Sequence, residues 1–422
     1  MDIVLRNNKY DTFLFVIIVS TIYGRWGWFH PTTLLSIFFL PQLLKNSNIL
    51  KLTSTKIFVS FLMFWLAYAF LSLVWTPKLA DGCLDIFFLF IHVILFLEII
   101  VFSFKANNPL QTIAKAWVCA FLLTSVIAMW EIISGNHLLS AREESDAFVE
   151  SRGDTYASVT FYNPNTYCYF MCLSFPFILY TLSQSKGWGI KNMVIVLLVI
   201  FIMSRNSSRG GLLSLLIMSS TYFIFKFKGG TYRKKLLLFL GLLVVLVLFV
   251  LYGHILLSTL FNRLSDKDML EDNARLILWL SSWLGFVDSY GFGKGVGSMF
   301  YILEHSQTNI YTVIYSHNMI LEILLEYGLI IFIGFILFLM KMFKNARKTK
   351  DKSLKSIIIC SLLSFPFYSV INSENLRPHF IWVFFATLYV MSDFDVKNRM
   401  KNESFIRNKR LPIGRGSNGR QL

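Results

Sequence analysis

"HNMILEILLEYGLIIFIGFILFLMK", residues 317–341, decides the fold. Between Asn318 and Met340 the only charged residues are Glu322 and Glu326. A helix of about 20 apolar residues is long enough to cross a bilayer core of about 30 Å, and this run meets that length. The run begins with an imidazole, however, and its two acids stand four residues apart, on one helix face. Acids inside a membrane span are costly and normally face a partner or a wet cavity. The stretch therefore predicts a membrane helix whose outer end opens onto chemistry.

The rest of the chain agrees. Of 422 residues, 55% are hydrophobic and 15% charged, mean hydropathy is +0.59, and there are 42 phenylalanines and 10 tryptophans. A soluble domain carries about a quarter charged residues, so this composition excludes that class and predicts a lipid-solvated chain with interfacial aromatics. The start, "MDIVLRNNKYD", is polar and no small-residue cleavage site follows. The first apolar run thus reads as a retained span rather than a removed leader. Counting it, apolar runs lie at 12–28, 31–44, 57–75, 84–104, 112–133, 167–183, 192–204, 211–226, 235–257, 318–343, 354–371 and 379–392. The expected fold is all-α, a single integral membrane domain over 1–422, built as a polytopic bundle of about twelve spans with a large helical extracytoplasmic loop.

Charge supports the count. With the N-terminus inside, 29 of the 40 Lys and Arg fall in cytoplasmic segments, as the positive-inside rule requires. The eleven others are Arg25, Lys78, Arg142, Arg152, Arg205, Arg209, Arg263, Lys267, Arg275, Lys294 and Arg377. This partition puts both termini, including the basic tail 393–422, in the cytoplasm, and two long loops, 134–166 and 258–317, outside. The net charge of +16 is then mostly topology. "KMFKNARKTKDKSLK" and the tail read as contacts to anionic lipid headgroups, not as a nucleic-acid module. Cys83, Cys119, Cys168, Cys172 and Cys360 mostly lie in or beside apolar runs, and neither a disulfide nor a metal site is expected from them.

The outward cations cluster at four places. "SRGDTYASVTFYNPNTY", 151–167, holds Arg152 and the turn Asn163-Pro164-Asn165, which reads either as a helix cap or as polar groups offered to a ligand. "SRNSSRGG", 204–211, sets Arg205 and Arg209 four apart, on one face if the helix continues; the glycines would let a bulky group approach the backbone. In 271–300, Arg275 opens an amphipathic segment with Leu276, Trp279, Leu280 and Trp283 on one side, as an interfacial helix has. "GFGKGVG" follows, with no preceding strand or βαβ unit, so a dinucleotide loop is rejected and a flexible turn expected. The fourth place is His317, read either as a hydrated cap or as a base at the mouth of a wet groove lined by Glu322 and Glu326.

Four motifs together resemble the O-antigen ligase and polysaccharide polymerase superfamily of bacterial inner membranes. They are "FYNPNTY" (161–167), "SSRGGLLSL" (207–215), "ARLILW" with "GFGKGVG" (274–297), and "HNMILEILLEYG" (317–328). The resemblance implies a metal-independent glycosyltransferase with no cofactor. Its donor would be a glycan on undecaprenyl diphosphate, and its acceptor a second lipid-linked glycan (polymerase) or the lipid A-core of lipopolysaccharide (ligase). The polymerase activity, making O-antigen or capsule, is the preferred expectation. On this resemblance Arg209 and Arg275 would hold the diphosphate and His317 would be the base, while Arg205, Asn318, Glu322, Arg152, Asn163 and Asn165 would contact substrate. A chain-length regulator is a further implied partner. A transporter of the lipid-linked sugar is the rival class, but transporters usually show related halves with polar breaks near the midplane, and this chain has unequal halves with its polar groups in outer loops.

Overall fold

The computed structural model describes residues 8–23, 30–138, 156–184, 190–226, 269–306, 315–372 and 375–393. Among these residues every regular element is a helix. In chain order they are α1 (Lys9–Ser20), α2 (Pro31–Lys45), a 3-10 turn (Ser47–Lys51), α3 (Thr53–Ser72), α4 (Leu79–Lys105) and α5 (Pro109–Ser134). There follow α6 (Pro164–Gln184), α7 (Ile190–Arg205), α8 (Arg209–Lys226), α9 (Met269–Asp288), α10 (Met299–Glu304), α11 (Met319–Lys348) and α12 (Lys352–Tyr368). Last comes α13 (His379–Asp393).

Helix ends follow local chemistry. Asn8 caps α1 through Tyr10 N, and Asp351 caps α12 through the amides of Ser353 and Leu354. Gly135, at φ 67°, ends α5 in the left-handed conformation that glycine tolerates.

The expected twelve spans are not reached on length and composition. Among the described residues five helices are long and apolar enough to cross a bilayer: α3 from Thr55, α4, α5, α6 and α11. The helices α1, α2 and α12 have 12, 15 and 17 residues, or roughly 18–26 Å at the helical rise. α8 carries Ser214, Ser219, Ser220 and Thr221, which dilute its apolar character. The run 235–257 lies outside the described residues.

α13 is the centre of the bundle and is buried along its whole length. Its aromatic side chains key the neighbouring helices to it. Phe385 meets Phe335 and Phe338 of α11 at ring distances of 5.6 and 6.2 Å, Trp382 meets Trp65 of α3 at 5.3 Å, and Tyr389 meets Phe58 at 4.2 Å. Such aromatic pairs add about 0.5–1.5 kcal/mol each beyond area burial. Polar bonds also cross between helices: Trp117 Nε1 donates to Thr387 Oγ1 at 3.3 Å, Ser36 Oγ donates to Glu98 Oε2 at 3.1 Å, and the rings of His92 and His379 share a 2.7 Å bond. In a medium without water, such bonds help hold helices together. The outer faces of α2, α3 and α11 instead expose large apolar side chains such as Phe38, Phe64 and Leu337, as lipid contact requires.

The glycine-rich segment 291–297 is not a flexible turn. It is wedged against three helices. Trp75 Nε1 donates to Gly293 O at 3.1 Å, Thr76 Oγ1 to Val296 O at 2.8 Å, and Tyr68 Oη to Phe292 O at 2.6 Å. Its amides serve a break in α11. Gly328 takes φ 72° and ψ −171° there, which strips Leu325 and Glu326 of their helical acceptor role. Lys294 N and Gly295 N replace the lost donors, at 2.7 and 3.1 Å, and Leu329 N finds Gly291 O at 2.8 Å. Buried backbone groups must be paired, and the wedge supplies the pairing.

Candidate active site

The first turn of α11 sets the site. Asn318 is its N-cap: its Oδ1 accepts the amides of Ile320 at 3.0 Å and Leu321 at 3.3 Å. His317 is therefore not the cap. It stands one residue earlier in the left-handed region, at φ 49°. Its Nδ1 is buried and has no hydrogen-bond partner among the described residues. Burial and then the nearby Arg275 guanidinium push His317 down to about 3, because both disfavour a second positive charge. Arg275, half-buried near the start of α9, thus lies within electrostatic reach of the imidazole.

α9 reaches α11 through Leu278, which clusters with Met299, Leu303 and Leu325. Its other side exposes Leu276, Leu280, Trp283, Leu284 and Val287, the amphipathic pattern that the sequence predicts. Ring contacts continue the site inward. Tyr315 meets Phe300 edge-on at 4.9 Å, and the Arg377 guanidinium lies 4.6 Å over the Phe300 ring. Arg377 Nε donates to Asp85 Oδ1 at 2.6 Å. Asp85, Glu322, Glu326, Arg377, Phe300 and Trp382 help line a tight cleft. The acids on α11 are engaged by backbone: Glu322 accepts Asn375 N at 2.9 Å and Leu376 N at 3.0 Å, and Glu326 accepts Met299 N at 3.3 Å.

Arg205 and Arg209 do not share a helix face. α7 ends at Arg205 and α8 starts at Arg209, with Ser207 at φ 52° between them. Asn206 enforces the break by exchanging two bonds with Ala157, its Oδ1 accepting the amide at 2.7 Å and its Nδ2 donating to the carbonyl at 2.8 Å. Arg205 is exposed and Arg209 half-buried. The glycines after Arg209 admit protein rather than a ligand: a Cβ on Gly210 would sit 3.2 Å from Ile371 Cγ1, and one on Gly211 would sit 2.8 Å from Ser208 Oγ.

At the start of α6, Asn163 Oδ1 accepts Asn165 N at 2.7 Å, so this side chain spends its oxygen on the turn. Asn165 is buried in the first helical turn. Thr166 Oγ1 donates to Asn372 Oδ1 at 2.6 Å. Arg152 lies outside the described residues, as do 139–155, 258–268 and 307–314 of the two long loops and 394–422 of the tail. The base of the first loop is closed by Glu131, absent from the sequence reading, which gathers the amides of Leu138, Ser158 and Val159 at 2.8–3.0 Å. The sequence reading also passed over Asp85 and Asn372, and named Arg377 only as an outward cation. A lone acid near the end of an apolar run was the only signal for Glu131 and Asp85.

The starts of α6, α8, α9 and α11 thus belong to one connected end of the bundle. Comparison with known proteins shows what this chain is similar to. Residues 193–339 match the family described as O-Antigen ligase, a segment holding Arg205, Arg209, Arg275, His317, Asn318 and Glu322 and three of the four motifs. The chain is also 26% identical over 365 residues to the "Teichuronic acid biosynthesis protein TuaE" of Bacillus subtilis (strain 168), an alignment that covers 82% of this chain and 74% of that protein. Over 193–339 the chain is thus similar to the O-antigen ligase family, and with the likeness to a teichuronic acid biosynthesis protein this supports a membrane protein with a role in cell-surface polysaccharide biosynthesis.

Proposed function

We propose that the protein is a polysaccharide polymerase that joins repeat units carried on undecaprenyl diphosphate, at the outer face of the cell membrane. The observation that carries this reading is the buried His317 Nδ1, without a hydrogen-bond partner among the described residues and within reach of the Arg275 charge, just ahead of a capped membrane helix. A neutral imidazole can take the proton of an acceptor hydroxyl as its oxygen attacks the anomeric carbon. The bond from that carbon to the diphosphate breaks, and undecaprenyl diphosphate departs with the electron pair. Negative charge grows on the leaving group, and guanidinium groups suit a diphosphate because each offers a planar fork of donors. Arg275 and Arg209 take that role, which fixed charges in a dry site perform well. Arginines would then stand where other glycosyltransferases use a divalent metal, so activity should survive a chelator.

His317→Asn tests the assignment. Asparagine tolerates φ > 0, Asn318 still caps α11, and only the base is lost. The expected result is normal membrane insertion with no long-chain polymer, a loss of about 10²–10⁴-fold in rate. Wild-type chain lengths would remove His317 from the chemistry. The ligase alternative differs in acceptor. Glycan transferred to lipid A-core, with no extension of a lipid-linked repeat unit in its absence, would favour it.

A further inference from the structure

The connection between α12 and α13 contains none of the four motifs, yet it touches the elements that carry three of them. Ser369 O accepts Met319 N at 3.1 Å, next to His317 and Asn318. Ile371 packs where a Cβ on Gly210 would be, one residue from Arg209. Asn372 pairs with Thr166 in the first turn of α6. Asn375 and Leu376 give their amides to the two oxygens of Glu322, and Arg377 returns to Asp85 on α4. Glu322 is 3% exposed. One carboxylate therefore fastens the first turn of α11 to a segment that also touches the starts of α6 and α8.

From this geometry we infer that Glu322 is a positioning residue: it latches the α12–α13 connection to α11 and so fixes His317 relative to Arg209. A carboxylate can accept two backbone amides at once, one per oxygen, and charge-assisted bonds of this kind are about twice as strong as neutral ones. A glutamine keeps the size but turns one oxygen into a donor facing an amide. Catalytic geometry is sensitive to such slack, since a shift of about 1 Å can cost about 10²-fold in rate. This inference rests on the proposed reaction for its effect on rate, whereas the latch itself can be read without any reaction.

The test uses the full-length protein in lipid nanodiscs, wild type and Glu322→Gln, with three readouts: amide hydrogen exchange over 375–377, binding of undecaprenyl diphosphate, and polymer made in cells at equal membrane levels. The expected result is at least about tenfold faster exchange at Asn375 and Leu376, diphosphate affinity within about twofold of wild type, and polymer synthesis down about 10- to 100-fold. A disulfide between Thr166→Cys and Asn372→Cys, in a background without the native cysteines, should restore much of the polymer, and its reduction should abolish the rescue. Should Glu322→Gln fail to fold, Asn375→Pro removes one donor while leaving the carboxylate intact, and it must raise exchange at Leu376 and lower polymer in the same way. Unchanged exchange overturns the latch. Lost polymer with unchanged exchange makes Glu322 a substrate contact and also overturns it. Wild-type protein that ignores undecaprenyl diphosphate, or polymer from His317→Asn, would instead sink the proposed reaction while the exchange result stands.

Discussion

His317 enters the fold with an unusual burden. An ordinary imidazole titrates near 6.5, but here burial and Arg275 hold it down to about 3. Above pH 6.5 both folded and unfolded chains keep it neutral. Between that value and about 3 the unfolded chain binds a proton that the folded chain refuses, so His317 subtracts stability progressively as pH falls below 6.5. His317→Asn should remove that part of the acid destabilisation, which thermal unfolding of the purified protein at pH 7 and pH 5 would show as a smaller loss. The kinetic counterpart has the opposite use. In the free protein the acid limb of kcat/KM should lie well below 6.5. Once an anionic diphosphate offsets Arg275, the imidazole becomes a stronger base and the limb of kcat should move up. A kcat/KM limb at 6.5 assigned to His317 would mean that the ring is solvated and far from Arg275. The sequence left His317 itself as the possible cap and Asn318 as a substrate contact; the structure gives the cap to Asn318, leaving the imidazole to other work.

At the scale of elements, the break in α11 ties two motifs into one device. The closing glycine of "HNMILEILLEYG" is the residue at φ 72°, and the carbonyls it releases accept amides from "GFGKGVG". An alanine at Gly328 would place its Cβ 2.4 Å from both Gly291 O and Phe292 C. Backbone cannot move aside as a flexible side chain can, and the conformation itself disfavours an L side chain. Gly328→Ala should therefore cost at least about 2–3 kcal/mol, seen as a lower unfolding temperature in detergent and a poor yield. Gly291→Asn is the contrast: its φ is 83° but nothing lies within 3.9 Å of the added Cβ, so the variant should be mild. Equal losses at the two positions would show that conformation alone, not the docking of the wedge, sets the cost. The docking was illegible in sequence because every partner is distant along the chain. The glycine spacing at 293, 295 and 297 read as a flexible turn, because the helices that fill the missing Cβ positions are known only once folded. The same holds for Glu322, whose two acceptors face amides some fifty residues away.

For the whole molecule, periodicity and hydropathy made the helices legible but not their surroundings. The run 379–392 read as one of twelve candidate spans, and α13 is buried throughout and forms the bundle's core. An apolar helix looks the same to a hydropathy scan whether lipid or protein covers it. Among the described residues five helices are long and apolar enough to cross unaided; α1, α2 and α12 fall short in length, and the run 235–257 lies outside those residues. The partition of charge is a separate signal, and it makes a prediction that packing cannot. Lys341, Lys344, Arg347, Lys348, Lys350, Lys352 and Lys355 gather at the far end of α11 and the start of α12, where the positive-inside rule places cytoplasm. His317 and α10 stand at the other end of α11, so they should face outward, where a lipid-linked donor meets its acceptor. Glu304 and Lys352 are both exposed and report the two sides. In a background without native cysteines, Glu304→Cys should react with a membrane-impermeant maleimide on intact cells stripped of wall or outer membrane. Lys352→Cys should react only after permeabilisation. The reverse pattern would put His317 in the cytoplasm, where surface polysaccharide is not extended, and the proposed reaction would lose its place along with its base.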